Sequence, residues 1–281
     1  MRCLSAPSLF CKKNMLSSLH IQVTKQSGKT VLKNCFFNPP FKVANITEDK
    51  SLPDLHLMLM SASPGVLDGD DYTMQVDVAE DASLQLHTQS YQRIYTMQQQ
   101  ARQSNTIHIA KNAAFRFIAH PAVPHRDASF ITDTKIYLEE NAFLAWGEII
   151  SCGRKLNGEV FAFSRYHSKT SVFYKGKLVL KENLLLEPGK TDLTAMGQLQ
   201  HFTHQATLII LNEHLSLNNL KEKILEDLSA CEQIVFGVTK TGFNGLMVRI
   251  LGQKAEQLFD CLKLLSQQIL FSQSKTAGHV I

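Results

Sequence analysis

At 281 residues, with 44% hydrophobic and 19% charged side chains, the chain has the composition of a folded globular protein, long enough for one large domain or a β domain with a smaller appendage. Its formal charge of +4 is scattered, with no Lys/Arg run or basic-aromatic motif, which argues against a nucleic-acid partner. No window approaches the roughly 18 consecutive apolar residues of a membrane span, and six cysteines without a C-x-x-C pair (Cys3, Cys11, Cys35, Cys152, Cys231, Cys261) read as reduced core residues of a cytoplasmic protein rather than a disulfide framework.

In chain order, residues 1–20 read as a mobile N-terminal extension. An early arginine is followed by no adequate apolar stretch, so the segment makes a poor secretory signal, and Met15 is a candidate natural start. The first convincing strand begins at Ile21-Gln22-Val23, and from there to residue 205 the pattern predicts strand after strand. Met74, Val76 and Val78 alternate with Gln75 and Asp77, and Leu84 and Leu86 alternate with Gln85 and His87. Phe115 and Phe117 flank Arg116, Ile136 and Leu138 flank Tyr137, Phe161 and Phe163 flank Ala162, and Leu178 and Leu180 flank Val179. Turn signals separate these runs at Asn38-Pro39-Pro40, Ser63-Pro64-Gly65, Leu156-Asn157-Gly158 and Tyr174-Lys175-Gly176.

One turn recurs. Ala79-Glu80-Asp81-Ala82, Ala110-Lys111-Asn112-Ala113 and Glu139-Glu140-Asn141-Ala142 each follow an apolar-x-apolar strand end and precede another strand, at the roughly 30-residue spacing of stacked supersecondary units. An alanine beside an Asp/Asn corner suits layered turns, because a larger side chain would strike the next layer. The fold class expected is therefore mainly β, with a layered, β-helix-like (solenoid-like) body over residues 21–205. The plainer alternative is that these corners connect ordinary antiparallel strands.

Beyond Glu187-Pro188-Gly189 the texture changes. Thr207 to Leu211 predicts a short buried strand, and Leu217, Leu220, Ile224, Leu225 and Leu228 fall at helical spacing. Two strands, Gln233 to Val238 and Leu246 to Leu251, precede a second amphipathic helix marked by Leu258, Cys261, Leu262, Leu265 and Ile269. Residues 206–271 thus read as a small α/β appendage with two helices, packed on the body, and residues 272–281 as a flexible tail.

Chemistry-bearing residues are sparse. Asp68, Asp70 and Asp71 crowd one corner but lack the ligand series of an EF-hand loop, so turn chemistry explains them without a metal. His120 and His125 flank Pro121-Ala122-Val123-Pro124, and His201 and His204 lie close in sequence, without the H-E-x-x-H spacing of a zinc hydrolase. No nucleophile elbow, phosphate loop or dinucleotide fingerprint occurs. Glu148, Glu159 and Glu182 sit in or beside apolar strand runs, where each must be paired, hydrated, bound to a cation or turned outward into water.

Several blocks then fall in a telling order. Phe36-Phe37-Asn38-Pro39-Pro40-Phe41-Lys42, Ser63-Pro64-Gly65-Val66-Leu67-Asp68-Gly69-Asp70 and Thr88-Gln89-Ser90-Tyr91-Gln92-Arg93-Ile94-Tyr95 come first. Glu148-Ile149-Ile150-Ser151-Cys152-Gly153-Arg154 with Gly158-Glu159-Val160-Phe161, and Leu184-Leu185-Leu186-Glu187-Pro188, follow. Together they resemble the signature segments of the urease accessory protein family UreD, called UreH in helicobacters, over about Ile21 to Ile269. The motif positions include Ser63, Pro64, Gly65, Gly69, Gln89, Tyr95, Gly153, Arg154 and Glu159.

The resemblance implies a non-enzymatic scaffold of urease maturation. Its expected partners are UreF, the nickel-carrying GTPase UreG recruited through UreF, and apo-urease, with a dimer inside the accessory complex and neither membrane nor nucleic acid involved. It implies no tightly bound cofactor, only transient Ni2+, with Asp70, Glu148 and Glu182 matching acidic positions associated with a metal route. Two positions depart from the family pattern: Val66 replaces a second glycine and His125 replaces an aromatic residue. A rival from another class is a β-helical polysaccharide-processing enzyme using paired carboxylates, against which the absence of a secretory signal and an aromatic content of 8% both speak.

Overall fold

The computed structural model describes residues 16–276, with side chains to residue 266. Strand alternation builds two large sheets. Strands β1 (Leu16–Gln26), β2 (Lys29–Phe37), β3 (Phe41–Asn45) and β4 (Leu55–Ser61) come first. They are followed by β5 (Asp71–Val78), β6 (Ser83–Thr88), β7 (Gln92–Ile94), β8 (Ala101–Ile109), β9 (Ala114–Ile118) and β10 (Ala122–Pro124). Then come β11 (Ser129–Leu138), β12 (Phe143–Ser151), β13 (Arg165–Tyr174) and β14 (Lys177–Leu186).

Each pass of the chain lays one strand on the first sheet and one on the second. In the first, β1, β5, β8, β11 and β13 run parallel, with antiparallel β2 and β14 at the edges. In the second, β4, β6, β9 and β12 run parallel, and the short β7 and β10 form a narrow parallel strip beside β12. Register aligns Ile21, Val76, Ile107, Ile136, Val172 and Leu180 in one inward row, every member of it buried. That row and its counterparts on the second sheet, Leu84, Phe115 and Leu144, make the dry part of the core.

The recurring corner does what its residues predict. Asp81, Asn112 and Asn141 all have left-handed backbones, with φ of 58°, 55° and 55°, a region that Asp and Asn tolerate better than most residues. Their side chains form a ladder: Asn112 Nδ2 donates to Asp81 Oδ1 at 3.1 Å and Asn141 Nδ2 to Asn112 Oδ1 at 3.0 Å. Backbone bonds climb the same stack, from Asp81 N to Lys111 O and from Asn112 N to Glu140 O. Ala82, Ala113 and Ala142, the small residues that follow the corners, are all buried. These corners join strands of different sheets, so the antiparallel-hairpin alternative does not hold at them.

The C-terminal segment continues the second sheet. Strand β15 (His204–Leu211) pairs antiparallel with β12, and β17 (Gly245–Gly252) and β16 (Val235–Lys240) extend it further. Helices α1 (Leu217–Ser229) and α2 (Ala255–Thr276) cover the outer face of this extension through Leu220, Ile224, Leu228, Leu258, Leu262 and Leu265. Mainly β with two C-terminal helices is therefore the observed class. Among the described residues no helix is long and apolar enough to cross a membrane.

Three boundaries differ from the sequence reading. Strand β1 starts at Leu16, not after residue 20, because Leu16 already pairs with Asp71 and Leu19 is buried; residues 1–15 of the expected extension lie outside the described residues. Phe161 and Phe163 lie in no strand: Phe161 has φ 52° and its N–H bonds Cys152 O, so this segment wraps back on the end of β12. The backbone of α2 runs through 272–276, inside the expected tail, whose residues 277–281 lie outside the described residues.

Because Asn112 supplies both a left-handed residue and two rungs of the ladder, Asn112→Ala is expected to lower stability by about 1–2 kcal/mol in urea unfolding. Asn112→Gly, which keeps the backbone and loses only the rungs, should cost less.

Candidate functional site

Between the sheets, the rows next to the dry core turn polar. The register that aligns Leu19 and Met74 continues through Asn105, Thr134, Thr170 and Glu182 on the first sheet. The next row holds Tyr72, Gln103, Thr132 and Ser168. Glu148, Thr207 and Arg249 are in register on the second sheet. Buried hydroxyls and amides need partners, and here they form a chain: Gln92 to Gln103 (3.1 Å), Gln103 to Asn105 (3.0 Å) and Asn105 to Thr134 (2.9 Å). A cavity of about 180 Å³ occupies this space, walled by Tyr72, Asn105, Thr132, Trp146, Glu148 and Tyr166. It reaches the surface beside Pro64, Gln89 and Arg93, which are exposed.

Glu148 stands where this cavity meets a second one of about 20 Å³, walled also by Ser168, Thr170, Glu182 and Thr207. Alternation points its carboxylate inward, so its accessible surface faces the cavities and not bulk water. Ser168 Oγ donates to Glu148 Oε2 at 3.0 Å from the opposite sheet. Burial raises the Glu148 pKa, against the opposing pull of Ser168 and the Trp146 N–H, and the charge of Glu182 raises it further. Trp146 Nε1 acts on that carboxylate without a hydrogen bond of normal geometry, and Thr170 Oγ1 also lacks a direct partner. A space of this size and polarity suits one ordered water. At the far end Glu182 accepts a hydrogen bond from the Arg249 guanidinium, an ion pair joining β14 to β17 across the two sheets.

Asp70 is placed differently. It is buried, but walls neither cavity: its Oδ2 accepts from Leu67 N at 2.8 Å and from Tyr72 OH at 2.6 Å, so it holds a cavity-lining tyrosine from behind. Burial and the Asp70 carboxylate both push the Tyr72 pKa up. The corner it closes explains its neighbours. A Cβ on Gly65 would lie 2.4 Å from Arg93 O, Gly69 has φ 83°, and Ser63 Oγ donates to Gly65 O at 2.5 Å. Pro64 and Gln89 line the cavity mouth, and Gln89 N bonds Leu59 O. Val66 needs no glycine backbone: it is buried and bridges Ile94 in parallel.

The remaining motif residues lock the end of β12. Gly153 has φ 118°, and a Cβ there would lie 2.8 Å from Pro124 O. Arg154 grips Glu159 with two bonds of 2.9 and 2.5 Å, while Glu159 Oε2 accepts from Arg126 N at 3.2 Å. The Arg154 hydrogen bonds bring the Glu159 carboxyl down to about 2. His125 is buried edge-on against Tyr95, with ring centroids 4.7 Å apart, so its imidazole serves as a packed ring in the core. Burial lowers its pKa.

The other sequence candidates do not converge. Asp68 accepts from the backbone of Gln98 and Gln99, Asp71 is exposed, and His204 is buried whereas His201 is exposed. His120 bonds Thr88 Oγ1 at 2.7 Å. Among the described residues no three His, Cys, Asp or Glu side chains are grouped to hold a metal ion. Glu148 and Glu182 are brought to one space, and Asp70 is not. Sequence reasoning missed Arg249, Ser168, Thr170 and Asn105. For the hydroxyls the signal was there: Thr132 and Thr134, and Ser168 and Thr170, occupy the buried phase of strands whose other inward residues are apolar.

A family model described as UreD urease accessory protein matches residues 16–277. The chain is 40% identical to the urease accessory protein UreD of Flavobacterium johnsoniae, covering 93% of this chain and 95% of the relative. It is 36% identical to that of Acetivibrio thermocellus (89% and 95%) and 34% identical to one of Actinobacillus pleuropneumoniae (91% and 97%).

A carboxyl whose pKa is raised on folding holds its proton more tightly in the native state, so it destabilises the fold increasingly as pH rises above its ordinary value of 4.5. Glu148→Gln is thus expected to match wild-type stability in acid and to exceed it near neutral pH, as read by urea unfolding at both.

Proposed function

The chain belongs to the UreD family of urease accessory proteins, and from that premise we propose that it guides nickel into apo-urease, binding UreF and, through it, the GTPase UreG. Its role lies in urease maturation, in association with urease and other accessory proteins, as an accessory protein and not an enzyme. In this reading Ni2+ is cargo that passes transiently, no cofactor stays bound, and the work is done in the cytoplasm by a dimer within the accessory complex. We read the stacked corners as a solenoid-like body whose interior carries the route.

The observation that carries this reading is the pair of polar rows facing each other inside an otherwise apolar core. Keeping hydroxyls, amides and a carboxylate inside costs stability unless a polar occupant uses them. A divalent ion that exchanges its waters for protein oxygens needs partners that attract it without holding it, which spaced single carboxylates provide and a three-ligand site does not. Glu148 would be the inner station and Glu182 the outer one, with its charge balanced by Arg249 between passages. Asp70 would act through Tyr72. A polysaccharide-processing site is disfavoured, because the space shared by Glu148 and Glu182, about 20 Å³, excludes a sugar ring.

Glu148→Gln and Glu182→Gln are each expected to lower GTP-dependent activation of apo-urease several-fold while leaving co-purification with UreF unchanged. Loss of UreF binding in both would instead assign the two residues to the scaffold.

A further inference from the structure

Two thiols meet beneath the helices, on the outer side of the second sheet. Helix α1 ends at Ser229, Ala230 caps it, and Cys231 lies in the bend leading to β16. Cys261 sits on α2 and is buried among Leu258, Leu262 and Leu265. The sulfurs are 3.7 Å apart, the Cys261 thiol donating to Cys231, and no described cysteine is in a disulfide. Cys231 is partly exposed and outside regular structure, so it can meet an oxidant and move the remaining distance to a bond of about 2.0 Å.

We propose that Cys231 and Cys261 form a redox-sensitive pair that closes to an intramolecular disulfide when the protein meets a peroxide. The Cys231 thiolate attacks one peroxide oxygen; the O–O bond breaks, the other oxygen leaves as hydroxide and is protonated to water, and Cys231 becomes a sulfenic acid. The Cys261 sulfur then attacks the Cys231 sulfur; the S–S bond forms, the S–O bond breaks, and the hydroxyl departs with the Cys261 proton as a second water. Two thiols are oxidised by two electrons and one hydrogen peroxide is reduced to two waters.

Burial and the neighbouring Cys231 push the Cys261 thiol up to about 12, so Cys261 stays a protonated thiol until it resolves the sulfenic acid. Catalytic or sensing pairs of this kind are the form that disulfides usually take in reducing compartments. The bond would fasten the bend after α1 to α2, the helix whose Leu262 rests on Gly147, one residue before Glu148.

Treating the full-length chain with one equivalent of hydrogen peroxide, alkylating residual thiols and digesting it should yield the Cys231 and Cys261 peptides cross-linked and lighter by two hydrogens. The melting temperature should rise, and dithiothreitol should reverse both changes. Cys261→Ser should leave Cys231 as a sulfenic acid that dimedone labels, and Cys231→Ser should abolish cross-link and label together. The proposal is overturned if wild-type Cys231 and Cys261 both remain open to alkylation on unfolding after peroxide, or if Cys231 couples to a cysteine other than Cys261.

Discussion

The whole structure depends on holding parallel strands in register from one layer to the next. Parallel strands cannot be joined by tight hairpins, so nothing local fixes their alignment. The corner does it instead. A left-handed Asp or Asn in each layer turns the chain from one sheet to the other, and the side-chain ladder from Asp81 through Asn112 to Asn141 ties each turn to its neighbour. A slip of one residue would break the ladder and put the inward apolar row on the surface. The ladder ends where the alternation between sheets ends: Asn141 is met by Glu213 and Asn212 from the C-terminal segment.

That alignment is also what makes a polar interior possible. Row by row, register decides which side chains face each other, so apolar residues can fill one part of the space and polar ones another. The row from Ile21 to Val172 seals the corner side, and the row from Asn105 to Glu182 gives the other part its hydroxyls and amides. Glu148 is tolerable there because Ser168 reaches it across the gap and because it borders open space. Stability comes from one half of the interior and the candidate chemistry from the other.

Much of this was legible in the sequence. Alternation located the strands, and three Asp/Asn-Ala corners gave the repeat, because a positive φ and a buried alanine restrict the residues strongly. Gly65, Gly153 and the Arg154–Glu159 pair stood out as motif residues, and each has a steric or hydrogen-bonding reason. What stayed hidden was pairing between distant segments. Nothing local says that Arg249 meets Glu182, or that Asp70 turns from the cavity toward Tyr72. Phe161 and Phe163 mimicked a strand because alternation records burial, and a loop folded back on the body buries alternate rings as well.

The Glu182–Arg249 contact spans 67 residues of chain, which bears on the order in which the molecule can be assembled. The layers can stack as they emerge from the ribosome, each templated by the one before. After β14 has been made, however, β12 still presents a bare edge whose residues are almost all apolar, and Glu182 has no counter-charge. Only when β15 and β17 arrive is that edge paired and the outer end of the interior closed. Until then the nascent chain is an adhesive template for other strands, so the interval between the completion of β14 and the arrival of β17 is the one in which it most needs protection from its neighbours.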